Sequence, residues 1–65
     1  MKLRVNGQMQ ELDVDTVQNL LAWLGLDCQA VAVELNKQVI PKRLHQQTEL
    51  HEDDEVELVT LVGGG

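Results

Sequence analysis

The chain has 65 residues, with eleven acidic side chains, five Lys or Arg, a formal net charge of −6 and a single cysteine. That length allows one domain. The charge argues against nucleic acid, whose phosphates call for Lys and Arg, and a lone cysteine excludes an internal disulfide framework or a metal cluster built on Cys pairs. Nothing near Met1 has the apolar length of a signal, and no stretch approaches a membrane span, so a bacterial-type cytoplasmic setting with no membrane partner is expected.

In chain order, KLRVNGQMQELDV reads as a hairpin. Leu3 and Val5 alternate with Lys2 and Arg4, and Asn6-Gly7 supplies two residues that tolerate positive φ. Met9, Leu12 and Val14 form the apolar set of the second strand, with broken alternation between Met9 and Leu12. DTVQNLLAWLGL reads as a helix, because Val17, Leu20, Leu21 and Leu24 recur at i, i+3, i+4 and i+7. Asp15 or Thr16 caps its start, and Asp15 with Gln18 has capping-box spacing. Gly25 sits where a left-handed C-terminal cap is needed, with Leu26 folding back onto the last turn. Trp23 lies off the centre of the stripe, as a flank residue would.

AVAVELN is the third strand, with Val31, Val33 and Leu35 on one side and Ala30, Ala32 and Glu34 on the other. Asn36-Lys37 turns into a short strand, QVI, which Pro41 stops for want of an amide donor. Residues 42–55 show no sustained period and read as a loop with one helical turn near Arg43 to Gln46. EVELVTLV, Glu55 to Val62, is the most β-prone run. The order ββ-helix-βββ at this length is an α+β roll of four to five strands, its apolar face covered by one short helix. Residues 1–62 form the domain and 63–65 a flexible glycine tail.

Six of the eleven acids lie between Glu49 and Glu57. The HEDDE run, His51 to Glu55, reads as a solvated turn that can also steer the domain towards a basic partner. Cys28 has no basic neighbour in sequence to lower its pKa and reads as a small, partly buried residue. His45 and His51 fit no zinc spacing and read as surface residues. Pro41-Lys42-Arg43 reads as a solvated basic turn. The glycine run lacks a following Lys-Ser/Thr and a following helix, so it is no phosphate loop. No catalytic or metal-ligating constellation emerges.

The last strand and its tail remain. With Val56 and Leu58 pointing inward, Glu57, Val59 and Leu61 alternate outward. Val59 and Leu61, with Val62 next to them, would then make a partner-docking patch. Three glycines reach roughly 10 Å, and without Cβ atoms they can thread a narrow channel. They deliver the carboxylate of Gly65. Adenylation supplies that carboxylate with a leaving group, sulfur can displace AMP, and the product is a thiocarboxylate on a protein handle. In such carrier chemistry a partner catalyses and this chain positions the reacting atom.

The strand and helix order, the LN-x-x-x-IP stretch (Leu35, Asn36, Ile40, Pro41), the acidic loop before the last strand and the terminal Gly64-Gly65 together resemble the thiamine-biosynthesis sulfur carrier family. The resemblance covers essentially the whole chain. It implies the ubiquitin-like β-grasp fold and a carrier with no cofactor of its own. It also implies an E1-like adenylating enzyme that uses ATP on Gly65, sulfur from a cysteine desulfurase route, and a thiazole synthase that takes the sulfur. Gly63 is an extra glycine that lengthens or loosens the tail. The small subunit of molybdopterin synthase, carriers for tRNA thiolation or cysteine synthesis, and a non-covalent β-grasp module with an idle tail stand as alternatives.

Overall fold

The computed structural model describes residues 1–27 and 29–61. Cys28, Val62 and Gly63 to Gly65 lie outside the described residues, and with them the expectations placed on the thiol and on the tail.

Five strands, one α-helix and one 3-10 turn follow in the order β1 (Lys2–Val5), β2 (Gln8–Glu11), α1 (Val17–Trp23), β3 (Val31–Leu35), β4 (Gln38–Ile40), the 3-10 turn (Lys42–Leu44) and β5 (Glu55–Thr60). The sheet order is β2-β1-β5-β3-β4. β5 therefore lies in the middle, parallel to β1 and antiparallel to β3, and the α+β roll with one helix on a mixed sheet is as expected.

Both hairpins turn on two residues of positive φ, Asn6 (49°) with Gly7 (84°) and Asn36 (51°) with Lys37 (70°). Such turns match the right-handed twist of the strands they join. The first sets the register Val5↔Gln8 and Arg4↔Met9. Met9 accordingly shares the outer face with Arg4 and is 48% exposed. The grouping of Met9 with Leu12 and Val14 is corrected here: Leu12 and Val14 are buried, but they lie past the end of β2. An odd-numbered Met9 and an even-numbered Leu12 take opposite faces of one extended run.

Helix α1 is shorter than the periodic run. Its cap is Thr16, whose Oγ1 accepts from the Asn19 N–H at 3.1 Å, so the Asp15–Gln18 capping box does not form. Gly25, at φ 75°, donates to Ala22 O (3.1 Å), and the Leu26 N–H reaches back to Leu21 O (2.7 Å). These two bonds satisfy the last carbonyls and fold Leu26 against the core. Val17, Leu20 and Leu21 from the helix meet Leu3, Val5, Val33, Val56 and Leu58 from the sheet, with Leu12, Val14 and Leu50 sealing the margins.

The loop before β5 holds a second correction. His45 is buried, with 3% of its surface exposed, not on the surface. Its Nε2 donates to Ile40 O at 3.0 Å, and its backbone carbonyl accepts from the Gln18 N–H at 3.0 Å. His45 thus ties the end of β4 to the first turn of α1, and its polar ring can be buried because its ring N–H has a partner. The helical turn expected at 43–46 falls at Lys42–Leu44. The HEDDE run is more structured than a solvated turn. Asp54 accepts from the His51 N–H (2.8 Å) and from Asn36 Nδ2 (3.0 Å), and Glu52 accepts from the Lys2 N–H (2.9 Å). His51 is exposed, as expected.

Candidate functional site

The segment that leads into the glycines is the central strand. β5 pairs with β3 from Leu35↔Val56 to Val31↔Thr60, and the Leu61 N–H donates to Ala30 O at 2.9 Å. The chain is thus held by the sheet up to Leu61, two residues before Gly63.

Parity along β5 is as the sequence indicates. Val56 (0% exposed) and Leu58 (9%) face the helix, while Val59 (59%) and Leu61 (58%) face outward. Val59 is level with Ala32 on β3, and so small a neighbour leaves the valine uncovered. Val39 on β4 points to the same side, opposite Glu34, and is 70% exposed. The outer face therefore carries an apolar end around Val59, Leu61, Ala32 and Val39. Glu34 and Glu57 lie directly opposite one another beside it. Like charges paired across strands repel, so this stretch of the outer face carries a concentrated negative charge.

Among the described residues no group of three or more His, Cys, Asp or Glu is placed to hold a metal ion, and no helix is long and apolar enough to cross a membrane. Trp23 is 57% exposed at the far end of α1, away from the outer face of the sheet. Lys42 and Arg43 stand on the 3-10 turn that follows β4. Val62, Gly63, Gly64 and Gly65 lie outside the described residues.

Asn36 and Asp54 are site-supporting residues that periodicity passes over. Asn36 Oδ1 accepts from the Glu55 N–H at 2.9 Å, and its backbone N–H donates to Glu55 O at 2.7 Å. The first residue of β5 is thereby fixed to the β3–β4 turn. The only sequence signal was the turn preference of Asn36 itself.

Residues 3–65 match the model of the ThiS family. The chain is 40% identical over 65 residues to the sulfur carrier protein ThiS of Bacillus subtilis, covering 97% of this chain and 98% of that one. A crystal structure of the thiamine biosynthesis protein ThiS from Geobacter metallireducens superposes with a TM-score of 0.82 at 36% identity, covering 100% of both chains. The chain is also 39% identical over 66 residues to a thiazole synthase of Paramagnetospirillum magneticum, where it spans only 20% of that protein's length.

Proposed function

The chain belongs to the ThiS family, and on that premise we propose how its parts serve sulfur transfer in thiamine biosynthesis. A ThiS protein is a sulfur carrier, a protein co-substrate and not itself the catalyst. Its fold is the ubiquitin-like β-grasp of that family.

In our reading the cargo site is the carboxylate of Gly65. An E1-like adenylating enzyme lets that carboxylate attack the α-phosphorus of ATP, and pyrophosphate leaves. The outer sulfur of a persulfide from a cysteine desulfurase route then attacks the acyl carbon, and AMP leaves. A thiol of the partner enzyme attacks the inner sulfur of the resulting acyl disulfide, forming a disulfide with it and breaking the S–S bond to the acyl sulfur. The resulting thiocarboxylate is delivered to a thiazole synthase. Gly63 and Gly64 carry the reacting carbon away from the sheet, because only chains without Cβ atoms pass a narrow channel in any backbone conformation. Val59 and Leu61, with Val62, dock the partner. Val59 and Leu61 are apolar side chains exposed at the end of the central strand, and burying them on association is favourable.

The observation that carries this reading is the family match through residues 3–65, which includes the three glycines. Thiazole synthase as a partner draws support from relatives of that name in which a segment like this chain makes up 20% of the length.

The test is intact mass after incubation with the cognate adenylating enzyme, ATP and a sulfur donor. An oxygen-to-sulfur exchange confined to Gly65 is expected. One residue added after Gly65 abolishes it while the fold persists. No exchange under conditions that convert a control carrier would overturn the reading.

A further inference from the structure

Five Lys and Arg side chains serve a chain with eleven acids, and they are not alike in their surroundings. Lys2 and Arg4 lie on β1, level with Glu11 on one side and Glu55 on the other. Lys42 and Arg43 are adjacent and exposed; like the other three cations they form no ion pair among the described residues, but here the two stand side by side. They line an open hollow of about 570 Å³ together with Gln18 and Gln46. No acid borders it.

This hollow stands on a fixed platform. The Leu44 N–H donates to Pro41 O (2.9 Å) and the His45 N–H to Lys42 O (3.1 Å). The buried His45 bonds Ile40 O through its ring and the Gln18 N–H through its carbonyl. The backbone that carries Lys42, Arg43 and Gln46 is therefore anchored to α1, where Gln18 stands, so only the side chains remain to be ordered on binding.

Its place relative to the tail follows from the register. Val33 faces both Ile40 and Leu58, and β4 and β5 both run antiparallel to β3. Both strands thus leave the sheet at the same end. Lys42 follows Ile40 by two residues and Leu61 follows Leu58 by three, with β3 alone between the two exits.

We propose that the Gln18, Lys42, Arg43 and Gln46 hollow is a second docking site, which takes a carboxylate-rich surface segment of the thiazole synthase. This rests on the reading that thiazole synthase receives the tail. The choice of occupant follows from charge: on a strongly acidic chain this hollow is lined by two adjacent cations and by no described acid, and it fits an anionic partner group by complementarity. The apolar face supplies contact area, and the cationic turn supplies orientation and rate of encounter.

The experiment measures binding of the unmodified full chain to its cognate thiazole synthase, at about 50 mM and about 300 mM NaCl, where screening differs strongly. The wild type is expected to weaken with salt. The Lys42→Gln/Arg43→Gln variant is expected to bind about tenfold less tightly at low salt and to lose most of the salt dependence, as for two screened charge contacts. Val59→Asp is the second arm, expected to lose affinity at both salt concentrations while keeping the salt dependence. Equal binding by wild type and the double variant overturns the proposal, as does an unchanged salt slope. NMR titration with pyrophosphate is the third arm. Saturable shifts at these four residues, with thiazole synthase binding untouched by the double variant, would mean a small-anion site and would also overturn it. Thiocarboxylation of the wild type and of the double variant by the adenylating enzyme is measured separately. Its failure in the wild type sinks the functional reading and leaves the binding arms to stand or fall by themselves.

Discussion

The N–H of Leu58 donates to Oδ1 of Asn6 at 2.7 Å, across a sequence separation of 52 residues. One side chain thus turns the first hairpin and fastens it to the middle of the last strand, while the Asn6 N–H donates to Val56 O at 2.9 Å. Asn6 also holds φ at 49°, where most side chains are disfavoured. Asn6→Ala removes the acceptor and the conformational preference together, for a loss of about 2–4 kcal/mol. Asn6→Gly keeps the turn and loses only the bond. Asn6→Asp keeps both and is the mildest. Urea denaturation should rank the three in that order.

The α-ammonium of Met1 lies 2.9 Å from Glu11 Oε2 and donates to Leu12 O at 2.8 Å. The Glu11 hydrogen bond raises the amine above its ordinary 8.0, and the same bond holds the Glu11 carboxyl below its ordinary 4.5. A raised amine contributes stability below its unfolded value and loses it as pH rises through the folded one. A lowered carboxyl contributes above its unfolded value and loses it as pH falls through the folded one. The pair therefore acts between the carboxylate range and pH values above 8. Glu11→Gln should lower Tm slightly inside that window, and the difference should vanish on both sides of it. The pair is exposed, so added salt should shrink the difference.

Thr16 gives a cleaner local test. Its hydroxyl caps a helix of only seven residues. Thr16→Ala should cost about 1 kcal/mol, and Thr16→Ser or Thr16→Asp should restore most of it. Thermal or chemical unfolding reads the outcome.

Val56 and Val59 sit three residues apart on opposite faces of β5. Val56→Ala opens a gap at a fully buried site and should cost about 2 kcal/mol, with partner binding per folded molecule unchanged. Val59→Asp should change stability by less than about 1 kcal/mol and weaken docking. A collapse of stability in Val59→Asp, measured by urea denaturation, would place that side chain in the core and refute the assignment of faces.

Apolar patterning told most of what apolar residues do. The Asn6-Gly7 turn, the stripe of α1, the cap at Gly25 and the parity of β5 all follow from local spacing, because burial of one face and the geometry of one element impose the same period. Polar residues were harder. His45 looked like surface because nothing near it in sequence is periodic. Its burial is decided by the Gln18 N–H, 27 positions away, and by a carbonyl at the end of β4. Asp54 similarly looked solvated until Asn36 came within 3.0 Å. Met9 shows the remaining difficulty: its face was set by the two-residue turn before it, and a single even-for-odd exchange reverses an assignment. Within the proposed docking region, the outward face of β5 was readable, while the exposure of Val39 on the same side needed the Glu34↔Val39 pairing of a neighbouring hairpin.

The strand that occupies the middle of the sheet is also the last one among the described residues. During synthesis from the N-terminus, β1 and β3 have no bridge between them until β5 emerges, since neither pairs with the other. The central hydrogen bonds, and the burial of Val56 and Leu58, must wait for that moment. Folding is therefore timed to the completion of the segment that leads into the glycines. A copy cut short before Glu55 would lack the element that joins the two hairpins, and it would reach proteases as an unfolded chain instead of reaching enzymes as a carrier without its tail.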